Sequence, residues 1–480
     1  MQLRDIIFFV ALLSSIPFGH VVKKVKSPSR KRLICTVAGV FLVLFLNGVQ
    51  DFWHSFLTIL ATYWICKSSR YSRWCNWLSF LCIFGYLFFF RACTYVGLPH
   101  PSPYSDNVQL FLTLRMVGLA FEIHDTTAAI KARASTEQED NEISDHEKDL
   151  QDMSFYHFLS YGYCYCGIFT GPYYKYKTYS DMLNQSNSEE IPTLDLAMKW
   201  LTYLPIFLAG YAFFSQWFPA YLGNDLFHNQ SILIQIIMLA LADIRFRCRL
   251  YIGTHMSESS CVTLCLGAYP VESCPIPGQG PTKKIKDIPE KGKENGNWDM
   301  VTADKKYSFE TIRGMYVRNV ELSSLKDMIR SWNTTVQWWM AAYVYQQFPF
   351  RQKLVRYLAV AAVSAFWHGL APGYYLSFLF IPFAQKIQER CAKKFLPYLN
   401  ERQQVWYFWI SWFIGYRLLE YFGVGVWVHT FSLTLRCWKS MCYYGHILLL
   451  VFFLLTIIVP DAPSKPHEKL LHEKSHEKTS

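Results

Sequence analysis

The sequence predicts an all-α, polytopic integral membrane protein of about ten to twelve transmembrane or re-entrant helices. Three observations carry that expectation. Hydrophobic residues make up 52% of the 480-residue chain and charged residues only 17%, against a usual charged share of about 25%. The apolar residues gather into blocks near the roughly 20 residues that span a hydrocarbon core. The basic residues fall mainly in the loops between those blocks, where positive charge favours the cytoplasmic face. The net charge of +11 is therefore read as membrane topology, and no nucleic-acid partner is expected.

The blocks lie around 6–22, 33–49, 52–66, 74–98, 108–123, 154–171, 199–221, 231–256, 332–347, 354–384, 405–428 and 441–459. The first has only Arg4 ahead of it, beside Asp5, and no small-x-small cleavage site before the basic loop. It reads as an uncleaved first transmembrane segment rather than a signal peptide. Lys23, Lys24, Lys26, Arg30, Lys31 and Arg32 lie between the first and second blocks, and Lys67, Arg70 and Arg73 between the third and fourth. Two crossings separate these loops, so both fit the cytoplasmic side, with the N-terminus opposite. The 14 cysteines are scattered, mostly within or beside apolar blocks. Neither Cys164 with Cys166 nor Cys261, Cys265 and Cys274 has the spacing of a ligand set, so no disulfide framework and no metal site is expected. Small hydrophobes packed in helices are the expectation.

Two polar loops interrupt the pattern. Residues 135–152 carry eight acidic residues and one lysine, the composition of a solvated, flexible segment. Residues 274–306 are rich in Pro, Gly and Lys, again a flexible loop. The expected organisation is one membrane-embedded domain over 1–460, followed by a disordered polar tail, 461–480, that repeats His-Glu-Lys. Neither loop is long or complex enough to build its own core, so any chemistry must sit among the helices. Walker-type, dinucleotide-binding and G-x-S-x-G motifs are missing from the sequence. ATP hydrolysis, nicotinamide chemistry and serine esterase chemistry lose their usual signatures.

His368 is the residue that most invites a functional reading. It closes an apolar run that starts near Leu354, and Gly369 followed by Pro372-Gly373 marks a helix break. An ionisable side chain at membrane depth is costly and is a functional hypothesis by default. Imidazole is the usual general base near neutral pH. Broken backbone at that depth is tolerated where it is buried in protein or lines a cavity, so the helices are expected to enclose an intramembrane reaction chamber. Asn333 lies upstream in a Trp-rich block and, if the block is helical, shares a face with Gln337 four residues on. Those two amides fit either chemistry or interhelical hydrogen bonding. In the Tyr- and Gly-rich segment 161–179, an interfacial or re-entrant element, Lys175 and Lys177 fit either phosphate contact or ordinary anchoring at the membrane surface. Arg313, Arg318, Lys326 and Arg330, ahead of the Asn333 block, admit the same two readings.

A Trp332-Asn333 pair in a polar-aromatic block, followed about one helix later by Trp367-His368-Gly369, resembles the membrane-bound O-acyltransferase family. The resemblance extends to Thr170-Gly171-Pro172, to Leu266-Gly267-Ala268-Tyr269-Pro270, to Thr334-Thr335-Val336-Gln337-Trp338-Trp339 and through Leu370–Phe378, and covers roughly residues 1–460. It implies that His368 and Asn333 are the catalytic pair. It implies transfer of a fatty acyl group from acyl-CoA, a co-substrate rather than a bound cofactor, to a lysophospholipid in the endoplasmic reticulum membrane. Within the family, the stretch around Asn333 differs from choline- and ethanolamine-preferring members. The resemblance there implies lysophosphatidylinositol as acceptor at its sn-2 hydroxyl and an arachidonoyl-type polyunsaturated donor. Gln337, Lys175, Lys177 and Arg330 are the candidates to contact CoA or a lipid phosphate. Two alternatives remain at this stage: another acceptor within the family (a different lysophospholipid, a sterol or a protein), or a transporter using His368 as a proton relay.

Overall fold

Helices account for nearly all regular structure in the computed structural model, which describes residues 3–72, 74–135, 145–217, 221–283 and 307–460. A two-residue antiparallel pair, Tyr269–Pro270 with Tyr307–Ser308, is the one β-sheet among the described residues. The centre of the acidic loop, most of the Lys-rich loop and the tail 461–480 lie outside the described residues. Among the described residues, four helical stretches are long and apolar enough to cross a membrane: Arg4–Val22, Pro28–Ser69, Cys75–Val96 and Leu194–Ser215. A fifth arises if the pair Phe431–Ser440 and Tyr444–Ile458, bent by 71°, is one span. That criterion is stricter than counting apolar blocks, because other long helices carry charge. Pro103–Ala134 holds Asp106, Arg115 and Glu122, and Ile232–Thr263 holds Asp243, Arg245, Arg247, Arg249 and Glu258.

The chain divides into two compact units. The first comprises Met1–Trp217, Ile244–Val317 and Arg330–Leu370, and the second Phe218–Asp243, Arg318–Ile329 and Ala371–Ser480. In the first unit, Pro28–Ser69 runs for 42 residues but breaks at Gly48, whose φ of 79° no helix contains. An unbroken helix of that length would measure about 60 Å, twice a bilayer core. The break restores the two blocks expected at 33–49 and 52–66. Pro103–Ala134 packs beside Pro28–Ser69 and Cys75–Ala92. Its start is fixed by Ser102, whose side chain accepts from the Ser105 N–H, with Pro103 at the first helical position.

The block expected at 154–171 is not a spanning helix. A short helix, Phe155–Gly162, gives way to irregular backbone with Gly167 and Gly171 at positive φ. Buried irregular backbone must find partners inside the protein, and Arg115 supplies them. Its guanidinium, 1% exposed, donates to the carbonyls of Tyr161, Gly162, Cys164 and Cys166 and stacks 4.6 Å over Tyr174. The described ends of the two polar loops are structured rather than flexible. Asp145–Gln151 forms a helix with Leu150 buried, and Arg70 donates to the Leu150 and Gln151 carbonyls. Residues 276–280 close on themselves through the Ile276–Gly280 bridge.

In the second unit, Pro372–Phe395 packs against Glu401–Val428 at a glycine crossing. A β-carbon on Gly373 would meet the Gly425 carbonyl oxygen at 2.2 Å, so only glycine permits this approach. Tyr444–Ile458 joins them through His446, whose Nδ1 lies 2.8 Å from the Tyr421 hydroxyl amid Phe380, Phe422 and Trp438.

Candidate active site

Asn333 is not in a helix interior. It is the N-cap of the helix Thr334–Met340, in the left-handed region at φ 48°, ψ 47°. Asparagine is among the few side chains that visit this region readily. Its side chain makes no capping hydrogen bond, so the amide is not consumed by the helix end. The expected shared face with Gln337 fails for the same reason: four-residue spacing aligns side chains only when both residues are helical. The Gln337 side-chain amide instead donates to the Trp332 carbonyl. Met340 leads into a π-turn, Ala341–Tyr345, a local distortion frequent at functional sites.

The backbone around Asn333 is pinned from both sides. Thr334 donates its N–H to the Gly314 carbonyl at 2.8 Å and its hydroxyl to the Arg313 carbonyl, while the Tyr316 N–H meets the Ser331 carbonyl at 3.0 Å. Loop 313–315 is itself held by Glu258. This fully buried carboxylate accepts from the N–H groups of Gly314 at 2.6 Å and Met315 at 3.1 Å and pairs with Arg313 at 3.4 Å. Thr335 accepts from the Tyr173 N–H at 3.1 Å, which ties the irregular segment to the same helix.

His368 is the last residue of the helix Lys353–His368, partly buried, with its ring edge-on to Trp367 at 4.8 Å. The helix stops where Gly369, Pro372 and Gly373 require, and the next begins with Pro372 at its first position. Arg91, at the end of Cys75–Ala92, donates to the Phe366 carbonyl at 2.6 Å and the Trp367 carbonyl at 2.7 Å. Its Nε meets Asp106 at 3.1 Å.

Two indoles bring the Asn333 and His368 elements together. The Trp367 indole N–H donates to the Leu110 carbonyl at 3.0 Å, and that of Trp339 to the Leu114 carbonyl, also at 3.0 Å. Leu110 and Leu114 sit one turn apart on Pro103–Ala134, about 6 Å along its axis. One helix thus holds both elements at adjacent turns, and Phe84 touches both through Trp339 and Phe366. Each such hydrogen bond contributes about 1 kcal/mol, more where a lost partner would leave a buried N–H unpaired. A narrow cleft elsewhere in the first unit, lined by Phe8, Leu12, Leu42, Tyr165 and Ser257, is bordered by neither Asn333 nor His368.

The remaining candidates separate. Lys175 lies 4.9 Å over the Trp338 ring, which also stacks on Tyr173 and donates its N–H to Gln279 at 3.1 Å. Lys175 and Gln337 therefore belong to the Asn333 neighbourhood. Lys177 is engaged elsewhere: its ammonium pairs with Asp181 at 2.9 Å, and Asp181 also accepts from the Tyr269 hydroxyl. Arg330 ends a short helix, Leu325–Arg330, and is exposed. Arg91, Glu258 and Gln279 were not among the sequence candidates. Arg91 and Glu258 had a usable signal, since both are ionisable residues at the edges of apolar blocks. Gln279 had none.

The family model for MBOAT, the membrane-bound O-acyltransferase family, matches residues 60–423, most of the chain and both Asn333 and His368. The chain belongs to the membrane-bound O-acyltransferase family. It is accordingly a polytopic membrane enzyme of the acyltransferase class. It is 34% identical over 447 residues to the Homo sapiens protein named membrane-bound acylglycerophosphatidylinositol O-acyltransferase MBOAT7, covering 92% of this chain and 91% of that one. The Xenopus laevis protein of the same name is 32% identical over 471 residues, covering 97% and 96%. The Drosophila melanogaster acylglycerophosphatidylinositol O-acyltransferase frj is 30% identical over 470 residues, covering 93% and 91%. Membership of an enzyme family removes the transporter alternative as a primary reading.

Proposed function

We propose that this enzyme transfers a fatty acyl group from acyl-CoA to the sn-2 hydroxyl of lysophosphatidylinositol, forming phosphatidylinositol. The observation that carries the mechanism is the pair of indole anchors that seat the Asn333 and His368 elements on adjacent turns of one helix. The near full-length similarity to proteins named acylglycerophosphatidylinositol O-acyltransferases supports the choice of acceptor. In the reaction, His368 takes the proton of the lysolipid hydroxyl as that oxygen attacks the thioester carbon. The Asn333 amide donates to the oxyanion that forms, an interaction worth roughly 3–4 kcal/mol in a site shielded from water. Collapse breaks the carbon–sulfur bond, and the proton passes from His368 to the departing CoA thiolate. Shielding also limits hydrolysis of the thioester. Lys175 beside Trp338 is suited to a phosphate of CoA or lipid, and Gln337 and Arg330 are weaker candidates for the same contact.

The donor is expected to be a polyunsaturated, arachidonoyl-type acyl-CoA and the setting the endoplasmic reticulum membrane, with CoA arriving from the cytoplasmic side. Microsomes carrying the protein, offered a panel of lysophospholipid head groups and acyl-CoA species, test this. Preferred use of lysophosphatidylinositol with arachidonoyl-CoA is the expected result. A clear preference for lysophosphatidylcholine or lysophosphatidylserine would overturn the acceptor assignment, and a preference for saturated acyl-CoA the donor assignment.

A further inference from the structure

We infer that Arg91 is the positioning residue of the proposed base, His368, an inference that rests on the catalytic reading of that histidine. A helix end leaves its last carbonyls without intrahelical donors, and at membrane depth each unpartnered carbonyl is costly. The helix Lys353–His368 ends on the base itself, and only the Ala365 carbonyl finds a helix-type partner there, the Gly369 N–H at 3.0 Å. The next two carbonyls, Phe366 and Trp367, are taken by the two terminal nitrogens of Arg91 at 2.6 and 2.7 Å. The third guanidinium nitrogen, Nε, is fixed by Asp106 in the first turn of Pro103–Ala134. All three nitrogens are committed, and the side chain is 9% exposed.

This geometry acts on the imidazole in two ways. The peptide plane joining Trp367 to His368 is locked by the Trp367 carbonyl, so the backbone that carries the imidazole cannot rotate without losing that bond. The Trp367 indole, bonded to Leu110, fixes the neighbouring side chain against the same helix that carries Asp106. The guanidinium also sets positive charge at the negative end of the helix dipole, beside the base. A planar fork spans two carbonyls and a carboxylate at once, whereas a lysine ammonium is a single point charge on a flexible stem and cannot. Arg91 touches neither substrate in this account and moves no proton.

The test is steady-state kinetics of acyl transfer by purified full-length protein in lipid vesicles, with Arg91→Lys, Arg91→Ala, Asp106→Asn, His368→Ala and the double variant Arg91→Lys/His368→Ala. A misplacement near 1 Å costs about 100-fold in rate, so Arg91→Lys is expected to lower kcat by about 10- to 100-fold, with KM for both substrates nearly unchanged. Guanidinium added to Arg91→Ala should restore part of kcat, and the double variant should be no slower than His368→Ala alone. Asp106→Asn should lower kcat less than Arg91→Lys, and it decides the matter if the arginine variants do not fold. An Arg91→Lys enzyme with wild-type kcat, or one whose loss appears only as raised KM or lowered thermal stability, would overturn the inference. An inactive His368→Ala beside a fully active Arg91→Lys sinks the clamp alone. An active His368→Ala sinks the catalytic reading beneath it.

Discussion

Asn333 holds a left-handed backbone conformation that costs most L-residues roughly 1–2 kcal/mol, and its side chain forms no cap hydrogen bond. Backbone and amide can therefore be tested separately. Asn333→Gly relieves the backbone and removes the amide. The folded state should survive, with a thermal midpoint in detergent at or slightly above that of the wild type. Turnover should fall by about 100- to 1000-fold if the amide serves the oxyanion. Turnover close to wild type would assign Asn333 to backbone geometry alone. The Trp-Asn and Trp-His-Gly pairs were legible in the sequence because polar residues stand out against apolar surroundings. The shared face of Asn333 and Gln337 was misread, because period counting cannot see that a helix begins one residue after the asparagine. Arg91, inside the block 74–98, and Glu258, two residues past the block 231–256, sit where sequence alone does not show the carbonyls and N–H groups they hold.

At the scale of elements, breaks were more legible than lengths. Pro372-Gly373 after Gly369 correctly divided the apolar run 354–384 into Lys353–His368 and Pro372–Phe395, and Gly48 parts two blocks that otherwise read as one long helix. The segment after Gly162, expected as an interfacial or re-entrant element, is buried irregular backbone gathered around Arg115. The acidic stretch misled, since charge marks it as solvated yet its end docks as Asp145–Gln151. That docked helix carries His146, whose imidazole stacks against Tyr176 and is pushed down to about 4, chiefly by burial and then by Lys177, against the opposing pull of Asp181, Asp149 and Glu147. An undocked His146, near 6.5, binds a proton more readily than the docked one. The docked state therefore has its full stability above pH 6.5 and loses it as pH falls from there towards 4. Hydrogen exchange over 145–151, corrected for intrinsic rates, should show weaker protection at pH 5 than at pH 7, and His146→Gln should remove most of that difference. Equal protection at both pH values in the wild type would contradict the burial of a neutral imidazole.

At the scale of the molecule, composition, block length and the placement of basic residues were enough to predict a polytopic helical protein, because the bilayer constrains segment length and charge so tightly. What composition could not supply was the tertiary pairing. Nothing in the order of residues says that Trp339 and Trp367 will choose carbonyls one turn apart on Pro103–Ala134, because that depends on which helix faces them after packing. Yet that choice gathers the proposed chemistry, since the segments carrying Asn333 and His368 both belong to the first unit, which ends at Leu370, two residues past the histidine. The central claim is that His368 is the base of a lysophosphatidylinositol acyltransferase. Its most direct measurement is acyl transfer from arachidonoyl-CoA to lysophosphatidylinositol by purified protein in vesicles, comparing wild type with His368→Ala at matched, folded concentrations. The account predicts transfer by the wild type and none above background by the variant. Transfer by His368→Ala at a rate near that of the wild type would contradict it.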